Sequence, residues 1–261
     1  MSTTRFEAHL ELGDGQLSIN AGASISAALK QMGFWSAILA TVFSIGYGLA
    51  VIVMIIASAS ASTATAAPGW QGVEAYVASF QPIQMLPLIP SLLLAPTFVV
   101  LMVCVHSYAP NAKKLWSQVG LAFAIVYATM ACVNYTVQLT VVRLSILNRE
   151  TDGLAMFAMG NPHSIFWALM SDYVFMNLAM LFAAPVFEGG KLERWIRWLF
   201  LANGASAVIT IFGIVVDSPM IFLLGSLVPW CVIFSAATVL LAVLFRRIGQ
   251  LGEASRAVFG E

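Results

Sequence analysis

Six stretches of about twenty consecutive, mostly apolar residues, separated by charged or turn-rich breaks, constrain this chain more than any other feature. They run from about Phe34 to Ala57, Met85 to Val105, Val119 to Val142, Ile165 to Phe187, Trp198 to Val216 and Ile221 to Phe245. A hydrocarbon layer roughly 30 Å thick is crossed by about 20 helical residues, so each stretch is long enough to span a bilayer. Lipid offers no partner to an unpaired amide, which leaves helices or a closed barrel, and none of the six shows the apolar/polar alternation of barrel strands. The fold class expected is therefore an all-α integral membrane protein, a six-transmembrane-helix bundle. It comprises a tail over 1–33, a membrane domain over 34–245 and a second tail over 246–261.

Composition closes off the other classes. Charged residues make up 9% and hydrophobic ones 60% of the 261 residues, against about a quarter charged in soluble domains. Twelve Lys+Arg balance twelve Asp+Glu, so nothing in the bulk charge points to nucleic acid.

The cations are distributed unevenly. With the N-terminus inside, the inner segments hold Arg5, Lys30, Lys113, Lys114, Lys191, Arg194, Arg197, Arg246, Arg247 and Arg256, and only Arg143 and Arg149 lie outside. Cytoplasmic loops retain Lys and Arg, so the expectation is a plasma (inner) membrane protein with both termini cytoplasmic. Trp35, Trp116, Trp195 and Trp198 then sit at the inner headgroup level and Trp167 at the outer one. A cleaved signal peptide at the first span is the lesser reading, because the 33-residue tail before it is too long for an n-region.

In the tail, Phe6 to Leu12 alternates apolar with polar residues ahead of Gly13, Asp14 and Gly15, the pattern of a small hairpin, and Ser24 to Met32 suits a short interfacial helix. The outer connection after the first span opens as a Ser/Ala/Thr run and suggests a packed piece around Val73 to Phe80. The second long connection carries Leu154, Met156, Phe157 and Met159, too few apolar residues to cross, and is expected on the bilayer surface or over the bundle mouth. Pro96 and Pro229 fall within spans and free the carbonyls of Leu92 and Gly225. Residues 34–43 align weakly with 166–175, too weakly to carry an inverted repeat.

Among all charged side chains, Asp172 alone falls well inside a span. Its insertion costs about 2.5–3.5 kcal/mol unless it is neutralised or paired. At about 100° per residue, Ala168, Asp172, Met176, Ala179 and Ala183 form one small, polar stripe that faces protein, opposite Met170, Val174, Leu178 and Leu181. In the third span Gly120, Tyr127, Ala131, Asn134 and Gln138 share a face, and in the fifth Asn203, Ser206, Thr210, Gly213 and Asp217 do. Two readings follow. Either these groups are interhelical hydrogen-bond glue, or Asp172, Asn134, Gln138, Tyr135, Tyr127 and Arg143 line a polar pocket in the outer half of the bundle. In the second case Asp172 is the group that carries a proton or holds a small molecule, with Arg143 reaching down as counter-ion.

Other chemistry lacks its residues. His9, His106 and His163 are dispersed, Cys104, Cys132 and Cys231 lie in separate spans, and no lysine lies within one. No metal site, cofactor or catalytic set is expected. The leading expectation is binding or translocation of a small molecule or proton; the alternative is a sensor or assembly subunit with a protein partner, and an intramembrane enzyme ranks third.

Overall fold

The computed structural model describes the side chains of residues 28–57, 69–218 and 220–248. It is all-helical, with no strand among the described residues. The elements are α1 (Thr4–Ala61), α2 (Val73–Ser79), α3 (Leu88–Tyr108), α4 (Lys114–Val137), α5 (Arg143–Asn148), α6 (Ile165–Leu169), α7 (Asp172–Ala183), α8 (Lys191–Val215), α9 (Pro219–Val228) and α10 (Ser235–Phe259). Six helical stretches are long and apolar enough to cross a membrane: Ala28–Ala57, Pro82–Tyr108, Asn111–Asn148, Ile165–Val186, Lys191–Val215 and Met220–Ile248. The third outruns its expected end at Val142, because the helix continues through Arg143, a charge that ends an apolar run without ending a helix. The tail stretch expected to form a hairpin, Phe6 to Gly15, lies instead within the helix α1, and its side chains fall outside the described residues.

The spans close into a ring. α1 packs on α3 and α10, α3 on α4, α4 on α7, α7 on α8, and α8 on α9 and α10. Outward faces carry large apolar side chains such as Leu39, Leu49, Ile125, Val133 and Val208, as a bundle solvated by acyl chains requires. Small residues set the inward contacts. A Cβ on Gly120 of α4 would stand 2.7 Å from the Ala179 carbonyl oxygen of α7, and Cβ atoms on Gly213 and Gly225 would stand 2.4 Å from backbone nitrogens of the facing helix in the α8–α9 pair. These helices therefore touch backbone to backbone. Across α1 and α10 the contact is a ladder of hydroxyls, with Thr41 and Thr238 at 2.8 Å and the Ser235 hydroxyl donating to that of Ser44 at 2.9 Å.

Three spans are irregular. A π-helical stretch, Gln138–Val142, follows α4, and a second, Pro229–Phe234, joins α9 to α10. The latter is how the chain accommodates Pro229, whereas α3 continues through Pro96 as a single helix. The fourth span breaks at Met170 and Ser171, between α6 and α7.

The two long connections share one end of the ring, here the loop end; Lys113, Lys114, Lys191, Arg194, Arg197, Arg246 and Arg247 gather at the other, the basic end. Trp35, Trp116, Trp195 and Trp198 are all exposed near the basic end. At the loop end α2 forms where a packed piece was expected. The 153–160 stretch folds inward over the helices, burying Leu154 and Ala158.

Candidate functional site

The break in the fourth span makes Asp172 the first residue of α7. A helix start carries unpaired amides and a partial positive charge, which suits a carboxylate. Asp172 is wholly buried, and neither of its carboxylate oxygens has a hydrogen-bond partner among the described residues. The Tyr173 amide lies alongside without reaching hydrogen-bonding geometry.

Aromatic groups surround this carboxylate. Tyr47 of α1, Tyr127 and Tyr135 of α4 and Tyr173 of α7 all lie within electrostatic reach of it. The hydroxyls of Tyr135 and Tyr173 are 3.3 Å apart. Trp230, in the π-helical stretch of the sixth span, stacks on Tyr47 with ring centroids 4.2 Å apart and meets Tyr173 at 5.0 Å. Phe98 of α3 packs edge-on against Tyr127 and Phe234. Like the carboxylate, the Tyr127 hydroxyl and the Trp230 indole N–H are buried without a partner. Farther along α7, the Asn203 amide of α8 donates to Asn177 at 2.8 Å, leaving one polar atom of each side chain unpartnered.

The six residues singled out from the sequence separate into three groups. Asp172, Tyr127 and Tyr135 belong to the buried aromatic cluster just described. Asn134 and Gln138 are buried but engaged elsewhere: the Asn134 amide donates to the Phe166 carbonyl of α6 at 3.2 Å and the Gln138 amide to the Phe157 carbonyl at 2.7 Å. They fasten the loop end to the third span. Arg143 is exposed and forms no ion pair with Asp172 among the described residues. The expected counter-ion is thus a correction; the helix turns Arg143 outward beyond the π-helical stretch, where its charge stays solvated.

The inward stripe of the fourth span holds from Asp172 through Met176, Ala179 and Ala183, all buried. It fails before that point, with Ala168 exposed and Met170 buried, because the break resets the helical phase. Tyr173, Trp230 and Tyr47 escaped sequence reading; aromatic residues in apolar runs carry no periodic signal that separates such a cluster from ordinary core.

Open space lies nearer the loop end. A cavity of about 550 Å³ is bounded by Trp70 of the first connection, His163 and Ser164 of the second, Trp167 of α6, Asp217 after α8 and Phe222 of α9. The Trp167 indole N–H donates to the Met159 carbonyl at 2.9 Å, which fixes its ring. Phe222 meets Trp167 on the cavity side, with centroids 6.1 Å apart, and Tyr173 on the cluster side, at 6.4 Å. One aromatic layer therefore separates the cavity from the residue beside Asp172. The polar pocket expected in one piece divides into an open mouth and, below it, a packed aromatic cluster around Asp172.

Comparison of the chain with protein-family models, curated proteins and solved structures finds no match in any of the three.

Proposed function

We propose that this is a multi-pass protein of the plasma (inner) membrane, with both termini cytoplasmic, that binds or translocates a small molecule or proton through the loop-end half of its bundle. Asp172 is the group that takes up the positive charge. The observation that carries this reading is the wholly buried carboxyl with two unpartnered oxygens and no Lys or Arg beside it. An ionised carboxylate in such surroundings has to be matched by a proton or a cation from outside, since the described residues supply neither. Structural glue accounts for Asn134 and Gln138, whose amide N–H groups have partners even though the Gln138 Oε1 has none; it does not account for Asp172, both of whose oxygens are unpartnered.

The test is proton uptake into proteoliposomes loaded with a pH-sensitive dye and driven by an imposed membrane potential. Wild type takes up protons and Asp172→Asn does not, while both elute and fluoresce as folded protein. Equal uptake by the variant overturns the assignment. Orientation is tested in a background lacking native cysteines: an impermeant thiol reagent on intact cells labels Arg149→Cys and spares Glu188→Cys, and the reverse pattern inverts the topology.

A further inference from the structure

The mouth cavity has a chemistry of its own. Its described lining contains no Lys or Arg; Asp217 is its acidic residue and His163 its other titratable one. Asp217 follows α8 in the left-handed conformation, with φ of 49°, and its carboxylate has neither a hydrogen-bond nor an ion-pair partner among the described residues. Ser164 borders the same cavity, with its hydroxyl shielded beneath the lining. It is 3% exposed, lines the cavity, and its hydroxyl has no partner although it stands at the start of α6, where serine commonly caps. The walls are the rings of Trp70, Trp167 and Phe222.

A carboxylate repels anions, and aromatic faces attract cations. A volume of about 550 Å³ lies within the range of small-molecule sites. Beyond Phe222 the same combination recurs, with Tyr173, Trp230 and Tyr47 around Asp172. We infer that the mouth cavity is a binding site for an organic monocation, an ammonium group on a flat apolar body. The ammonium sits against Asp217 and the body lies against Trp70 and Trp167. This names the ligand class for the Asp172 reading, on which it rests for what lies below the mouth; the mouth site itself stands on its own residues.

The experiment uses the full chain in nanodiscs of phosphatidylglycerol, whose headgroup has no ammonium. Phenethylammonium is the probe, hydrocinnamate and phenethyl alcohol are its anionic and neutral counterparts, and tryptophan fluorescence is the readout. The ammonium binds saturably and the other two do not. Asp217→Asn weakens binding by about tenfold or more, the loss of one charge-assisted contact; asparagine tolerates the left-handed backbone, so the change removes charge alone. Trp70→Ala, in a connection outside the ring, weakens binding too. Asp172→Asn leaves mouth binding in place, so failure of proton uptake in that variant and failure of ammonium binding are separate results. If phosphatidylethanolamine discs compete with the probe, the natural ammonium is a lipid headgroup; without competition it is a free solute. Equal binding of hydrocinnamate or phenethyl alcohol, or no effect of Asp217→Asn, overturns the inference.

Discussion

Replacing Asp172 by valine removes both unpartnered oxygens while nearly conserving volume, and it separates a carboxyl kept for function from one kept for structure. A buried polar group without a partner costs about 1–3 kcal/mol relative to an apolar one of the same shape. Against that gain stand about 0.3–1 kcal/mol for a carboxylate lost from a helix start and roughly 1 kcal/mol for fitting a branched side chain among Tyr127, Tyr135 and Tyr173. The net lies between about −1 and +2 kcal/mol, centred a few tenths on the stabilising side. For a chain of this size that keeps Tm within roughly 4 °C of wild type, centred about 1 °C above it. The assay is thermal unfolding in detergent at fixed protein and detergent concentration, with proton uptake measured in parallel on reconstituted protein. The expected pair of results is a Tm close to or slightly above that of wild type, and no uptake. A fall in Tm of more than roughly 5 °C would show that the carboxyl is bonded within the fold, and the argument from its unpartnered oxygens would collapse.

Other expectations follow from the packing. Gly120→Ala places a Cβ against the Ala179 carbonyl oxygen and should cost about 1–3 kcal/mol, read as a lower Tm. It should also slow uptake, since α4 and α7 carry the cluster around Asp172. Asn134→Ala strands the Phe166 carbonyl, at roughly 0.6–2 kcal/mol, and hydrogen exchange should accelerate in α6 before the rest of the bundle. At the basic end the Glu188 carboxyl is held below the usual carboxylate range, first by its hydrogen bond with Lys113 at 2.9 Å and then by the charges of Lys113 and Arg197. Its folded pKa is depressed, so the pair's contribution is present above the unfolded value and disappears as pH falls through the folded one. A carboxyl-carbon NMR titration should find Glu188 below the ordinary range in wild type and back within it in Lys113→Met.

The architecture was legible where a single physical rule dominates. Hydrocarbon thickness sets the length of a span, so six apolar runs gave six helices, several of which run past the apolar stretch, as the third does where the charge of Arg143 was taken for a terminus. Helical periodicity likewise put Asp172, Met176, Ala179 and Ala183 on one buried face. What escaped depends on tertiary placement. The break at Met170 and Ser171 has no proline or glycine to announce it, and it shifted the phase of Ala168 and Met170. The mouth cavity draws Trp70, Ser164, Trp167 and Asp217 from segments far apart in the chain, and no local spacing brings them together. The hydroxyl ladder of Ser44 and Ser235 lies on helices joined through the whole length of the fold.

The partners of the polar side chains distinguish glue from site. A helix break or π-helical stretch disturbs the regular pairing of backbone groups, and in a membrane each freed group needs a substitute. Three side chains serve carbonyls at or near such places: Asn134 that of Phe166 in the broken fourth span, Gln138 that of Phe157, and Ser44 that of Trp230 within the sixth span's π-helical stretch. Polar residues kept only to hold helices together should all look like these. Asp172 differs, since both its side-chain oxygens are buried without a partner, and so are the Tyr127 hydroxyl and the Trp230 indole N–H, whereas Gln138 leaves only its Oε1 unpartnered. A bundle selected for stability alone would fill those positions with apolar side chains of similar size, as Asp172→Val does. Their gathering at one place, one aromatic layer below an open mouth, is the arrangement on which the proposed uptake of a positively charged occupant rests.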